Sequence, residues 1–370
     1  MLCRMENDSN SAMISRYTSR QSKFNQTLND GKLNSMLVFG PENINYLTGF
    51  TGNAAYLIAS PKKYILITDY RYFERAQQEC QHCDIVCRDR SSETLGACIQ
   101  RHLPSGDTGF DAAYITVNLW QEIATTLDRV LRPITGLIEQ LRTVKCEWEV
   151  TNIKKAAAIA DLALADMLGH VRLGVTEKDL ATELDYKMQK LGSDGVSFDT
   201  ILLFGSRSAL PHGKPGNTQL KEGDMILIDF GAVVNGYRSD MTRTYVYQSA
   251  TAKQQHMYDT VIAAQNTSLE LVKSGTNCIE LNAASERVLF GAGYEEYAGK
   301  GLGHGLGLHL HETPFITPKT HFVLQAGNVI TIEPGIYIPE LGGVRIEDDI
   351  LVTHEGFECL THAPKQFIVE

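Results

Sequence analysis

The chain has 370 residues, 43% hydrophobic and 21% charged, and a formal net charge of −10. That length allows two domains, since one hydrophobic core rarely grows past roughly 250–300 residues. The acidity argues against nucleic acid as a partner, no apolar run reaches the ~18 residues of a membrane span, and eight cysteines in so long a chain are no disulfide scaffold.

Residues 1–20 are polar and lack the apolar stretch of a secretory signal, so residues 1–22 read as a flexible N-terminal extension and the expected compartment is the cytoplasm. Next, β-rich runs at 35–39, 55–59 and 64–68 alternate with turn signals, and helical patterns follow at 72–81, 92–102 and 118–131. Together they predict an α/β domain over residues 23–144. Within it Cys80, Cys83, Cys87 and His82 cluster, but no second cysteine pair lies nearby, so reduced thiols are expected rather than a zinc site. Apolar residues at helical spacing from Ile153 to Val171 open the second domain, residues 145–370. A second helix over 176–191 ends at Gly192 in the manner of a C-cap. Beyond it, two β-rich blocks flank helices near 252–273 and 278–291.

The second domain contains a duplication. LKEGDMILIDFG at 220–231 matches LQAGNVITIEPG at 324–335 position for position, which sets Asp229 on Glu333. Further on, GYRSD matches GVRIE, which sets Asp240 on Glu347. Two related halves packed face to face would gather four carboxylates at their seam. Asp229 and Glu333 each follow an apolar strand, and buried carboxylates need partners. Two like charges ~4 Å apart repel by about 4 kcal/mol at an effective dielectric of about 20. Two divalent cations would balance four such charges. Ion pairing with Arg238, Arg243 and Arg345 is the alternative.

The segment GLGHGLGLHLHE at 301–312 favours metal, because glycines let the backbone approach a crowded site and the imidazoles of His304, His309 and His311 are neutral ligands or proton carriers. No helix signal follows these glycines, so they are not a dinucleotide fingerprint, and HExxH is absent. Oxygen-rich ligands with one histidine suit Mn²⁺ best, with Co²⁺, Fe²⁺ or Zn²⁺ as alternatives.

SDMTRT at 239–244, GHGLGLHLHE at 303–312, TIEPGIY at 331–337 and GGVRIEDD at 342–349 resemble the signatures of the pita-bread metallopeptidases. More closely, they resemble the Xaa-Pro aminopeptidase and Xaa-Pro dipeptidase (prolidase) branch. PENINYLTGF at 41–50 and TDYRY at 68–72 extend the resemblance into the creatinase-like N-terminal domain of that branch. The implied fold is a two-domain α/β chain ending in a pseudo-twofold pita-bread α+β catalytic domain.

Carried over by resemblance, Asp229, Asp240, His304, Glu333 and Glu347 would hold two divalent metal ions, with Asp240 and Glu347 bridging. A hydroxide between the ions would be the nucleophile and Glu333 its general base. His212 and His311 would hold the substrate carbonyl or assist proton transfer, and Arg345 would order the site or reach a dipeptide's carboxylate. The resemblance implies a homodimer and a peptide substrate with proline at its second position. An Xaa-Pro aminopeptidase is the expected activity, an Xaa-Pro dipeptidase the alternative, and a non-catalytic binding protein a remote third. Two positions depart from the family pattern: Lys300 stands where relatives commonly have a histidine, and His309 where they often have an acid.

Overall fold

A computed structural model describes residues 2–370, with side chains from residue 14 onward. The chain forms two compact units, Met1–Arg142 and Thr143–Glu370.

The first unit opens with a helix, α1 (Leu2–Asp30), across the stretch read from sequence as a flexible extension. Its residues 2–13 lie outside the described side chains. From there on the physical reason is visible. Tyr17, Phe24 and Leu28 recur at helical spacing and are buried. Arg20 adds its guanidinium over the Tyr46 ring, 4.3 Å from the centroid, and donates to the Tyr46 carbonyl at 3.1 Å. The polar residues between these contacts hid the apolar stripe.

Then follow β1 (Ser35–Val38), α2 (Pro41–Thr48), β2 (Ala55–Ser60), β3 (Lys63–Thr68), α3 (Phe73–Glu79), β4 (Asp84–Cys87), α4 (Leu95–His102), β5 (Thr108–Asp111), α5 (Val117–Ala124), β6 (Arg132–Ile134) and α6 (Leu137–Arg142). One six-stranded sheet results, ordered β4-β3-β2-β1-β5-β6. Only β2 runs against its neighbours, because a tight turn at Pro61-Lys62 joins it to β3. The helix α2 falls where turn residues suggested a loop. Proline is tolerated at its first position and Gly49, at φ 80°, ends it. Cys80, Cys83 and Cys87 are free thiols.

The second unit begins with α7 (Glu147–Leu168) and α8 (Glu177–Lys190), followed by β7 (Ile201–Phe204), β8 (Met225–Phe230), β9 (Val233–Val234), β10 (Tyr237–Arg238) and β11 (Met241–Tyr247). The second half repeats this plan with α9 (Ala252–Leu269), α10 (Cys278–Gly291), β12 (Gly303–Gly305), β13 (Glu312–Ile316), β14 (Val329–Ile332), β15 (Gly335–Ile338), β16 (Gly342–Arg345) and β17 (Asp348–Val352). The short strands β18 (Phe357–Cys359) and β19 (Ile368–Val369) close the two main sheets, β19-β11-β8-β7 and β13-β12-β14-β17-β18.

The duplication is thus structural. Antiparallel β8 and β11 match β14 and β17, and hairpin β9–β10 matches β15–β16. α7 and α8 pack on their own half, with Leu164, Leu184, Ile226 and Ile228 in one core. α10 does likewise with Leu281, Ile330, Ile332 and Ile350, while α9 sets Met257 and Val261 in a core shared by both halves, with Met225, Val246, Ile336 and Val344. The match is not perfect in register. Thr242 opposes Asp229, whereas its counterpart Asp349 opposes Thr331, two residues short of Glu333. A shift of two keeps every side chain on its original face, so both pairs of acids still point into the seam.

Candidate active site

The four acids sit at strand ends, where apolar strands release the chain into the seam. Asp229 is near the end of β8, Asp240 just before β11, Glu333 just after β14 and Glu347 between β16 and β17. His304 is the middle residue of β12. All five line a single cleft of about 1270 Å³, together with His212, His311, Lys300, Tyr337 and Arg345. The structure therefore gathers the five metal-ligand candidates with His212, His311 and Arg345, whereas Arg238 and Arg243 do not line the cleft and His309 lies on the loop beside it. There the His309 amide donates to Glu312 at 2.9 Å, and Glu312 is held by the buried ammonium of Lys145 at 3.2 Å. That pair fixes the histidine loop from below.

The acids are buried more deeply than their hydrogen bonding accounts for. Asp229, Asp240, His304 and Glu347 are 7%, 4%, 7% and 1% exposed. Thr242 Oγ1 donates to Glu347 Oε2 at 2.6 Å, the Asp240 amide donates to Asp349 at 3.0 Å, and Thr331 Oγ1 donates to Glu333 Oε1 at 3.0 Å. His304 Nε2 lies 3.5 Å from Asp240 Oδ2 and 3.4 Å from Glu333 Oε1. Asp229 Oδ1, Asp240 Oδ1 and Glu347 Oε1 have no hydrogen-bond partner among the described residues.

Arginine does not compensate the whole cluster. Arg345 pairs with Asp229, not with Asp240 or Glu347, while Arg243 pairs with Asp348 at 2.7 Å. Burial, then mutual repulsion, holds Asp240 and Glu347 well above the usual carboxylate range, and burial pushes Glu333 up to about 7. Burial lowers His304, and burial with the neighbouring histidines lowers His311 to about 4.

Orphaned buried oxygens around a neutral imidazole make a donor set that fits a divalent cation. Asp240, His304 and Glu347 can each offer a ligand atom, all within 4.8 Å of one another. A cation there would offset the burial and mutual repulsion that raise these carboxyls.

Sequence reading missed the residues that hold the acids. Thr331 lies two positions before Glu333, the acid it holds, whereas Thr242 holds Glu347, which is distant in the chain, so only the first of the two spacings could have been read. That period-two spacing is a signal present in the sequence. Tyr337, whose hydroxyl lies 2.6 Å from Arg345 Nη1, carries no such signal.

This architecture has known counterparts. The profile of the Creatinase/Prolidase N-terminal domain matches residues 20–144, and that of Metallopeptidase family M24 matches residues 151–354. The chain belongs to metallopeptidase family M24, a family that uses divalent metal. It is 33% identical over 350 residues to the Xaa-Pro dipeptidase of Pyrococcus furiosus, spanning 94% of this chain and 99% of that one.

Among solved structures, it resembles an Xaa-Pro dipeptidase from Bacillus anthracis with a TM-score of 0.91 and 34% identity, covering 96% of this chain and 100% of the other. It also resembles an X-Pro aminopeptidase from Thermotoga maritima with a TM-score of 0.88 and 32% identity, covering 94% and 99%. These comparisons favour the dipeptidase alternative over the aminopeptidase expected first from the sequence. Among the described residues no helix is long and apolar enough to cross a membrane.

Proposed function

We propose that the protein is a dinuclear-metal Xaa-Pro dipeptidase. The observation that carries the metal chemistry is the set of orphaned, buried oxygens of Asp229, Asp240 and Glu347 beside His304. The dipeptidase assignment is supported by the relatives named above. Asp229, Asp240, His304, Glu333 and Glu347 would hold two ions, with Mn²⁺ the first candidate for an oxygen-rich set containing one histidine. When bound, the ions supply Lewis-acid activation of the attacking water.

The chain's own groups divide the remaining work. Glu333 Oε1, which accepts from Thr331 Oγ1, would take a proton and return it to the leaving proline nitrogen. That nitrogen leaves as a secondary amine and must be protonated. His212 and His311, open to the cleft, would hold the scissile carbonyl or assist that proton transfer. Arg345 orients Asp229 and is itself braced by Thr242 at 3.1 Å and by Tyr337.

The test uses metal-stripped protein with and without Mn²⁺ on Ala-Pro, Ala-Pro-Ala and Ala-Ala. Mn²⁺-dependent cleavage of Ala-Pro alone is expected. Cleavage of the tripeptide alone would make the protein an aminopeptidase, and cleavage of Ala-Ala at a similar rate would remove the proline requirement.

A further inference from the structure

A dipeptide presents two opposite charges a few ångströms apart. A site that prefers it over longer peptides needs a cation for the terminal carboxylate, close to the scissile bond and not already neutralised. Four lysine or arginine side chains line the cleft: Lys178, Lys214, Lys300 and Arg345.

Arg345 is engaged. Its guanidinium serves Asp229, Thr242 and Tyr337, and it is 3% exposed. A substrate carboxylate could reach it only by breaking the pair that orients Asp229. Lys214 faces Asp199 at 3.8 Å on the outer rim, where the two side chains are 84% and 92% exposed. Lys178 is also exposed, but it lies at the start of α8, where the backbone is tied to residues 216 and 218 and not to a segment that carries one of the acids.

Lys300 differs from these. Two backbone hydrogen bonds bracket it, Gly299 N to Gly335 O at 3.0 Å and Glu333 N to Leu302 O at 2.8 Å. They lash its segment to the turn that carries Glu333, four residues before His304. Its side chain is exposed and has no ion pair or hydrogen bond among the described residues. The rings of Tyr297 and Phe315 line the same cleft. An ammonium on a flexible four-carbon stem can follow a carboxylate over several ångströms.

We infer that Lys300 anchors the C-terminal carboxylate of the dipeptide and thereby sets the preference for dipeptides over longer peptides. The inference rests on the dipeptidase reading above. A longer peptide places a neutral peptide group where the dipeptide carries its charge, and so gains nothing from this ammonium.

The experiment compares kcat/KM on Ala-Pro and on Ala-prolinamide, which lacks only the carboxylate, for the Mn²⁺-loaded wild type and Lys300→Gln, Lys300→Arg and Lys300→Glu. Wild type should prefer Ala-Pro. Lys300→Gln should lose about tenfold on Ala-Pro, mainly through KM, and stay within about twofold on the amide. Lys300→Arg should recover most of the loss, and Lys300→Glu should prefer the amide. Because the side chain is exposed, all three variants should melt close to wild type. Equal losses on both substrates, or no loss on either, would overturn the anchor while leaving the dipeptidase reading intact. A wild type that cleaves neither substrate overturns that reading and the anchor with it.

Discussion

At the scale of single residues, the site depends on small polar side chains that point at the acids. Thr242 is the sharpest case, because its one hydroxyl donates to Glu347 at 2.6 Å and accepts from Arg345 at 3.1 Å. Thr242→Val keeps the shape and the strand preference but removes both bonds. Metal affinity should fall about 10- to 100-fold, the range for partners that orient a ligand, as read by titration with Mn²⁺. Unchanged affinity would show that Glu347 needs no such support. Arg345→Ala is expected to act on stability instead. It leaves Asp229 buried without its cation, a loss of about 3–5 kcal/mol for a buried pair, measurable by urea unfolding of the metal-free protein.

At the scale of elements, the seam requires backbone to approach backbone where strands hand over to the site. Gly231 follows β8 directly, and a methyl group there would run into the Ser239 carbonyl oxygen. Gly303, one residue before the metal histidine candidate, has the Thr331 carbonyl in the same position. Gly231→Ala should lower the unfolding free energy by about 1–3 kcal/mol, as overpacking does, and should cut activity more than that loss implies because Asp229 is displaced. A variant as stable and active as wild type would mean that the strand ends are free to shift.

Much at this scale was legible in the sequence. The matched runs at 220–231 and 324–335 placed the acid-bearing strands, and helical periodicity placed α7 to α10. Sequence missed α1, α2 and α6, and ran α5 on to residue 131 although it ends at Ala124. Their apolar residues are few, and only contacts with residues distant in the chain, such as Arg20 on Tyr46, show which face is buried.

At the scale of the whole molecule, an acid cluster without its cations should make the apo protein sensitive to pH in an unusual direction. Burial raises Glu333 from 4.5 to about 7. A carboxyl whose folded pKa is raised contributes stability that is fully present below 4.5 and is lost as pH rises through about 7. Asp240 and Glu347 shift in the same direction. Metal-free wild type should therefore lose thermal stability relative to Glu333→Gln between about pH 4.5 and 7. Added Mn²⁺ should reverse the trend for wild type, and an excess of about 100-fold over Kd stabilises by about 2.7 kcal/mol. A pH-independent difference between the two proteins would remove the electrostatic argument for the site.

The sequence by itself determined the two-domain plan, the duplicated half and the identity of the clustered acids and histidines. These rest on local pattern: periodicity sets the elements, and a repeated motif carries its carboxylates to equivalent positions. Only the tertiary structure decided which charges meet. Arg345 lies two residues from Glu347 in the chain but pairs with Asp229, more than a hundred residues away, because β16 packs beside β8. The two-residue register shift between the halves was equally invisible in the motifs, since it depends on how separate strands pair. So was the standing of Lys300, a lone departure from the family pattern in sequence. Its position on the Glu333 turn follows from hydrogen bonds between segments that the chain order keeps apart.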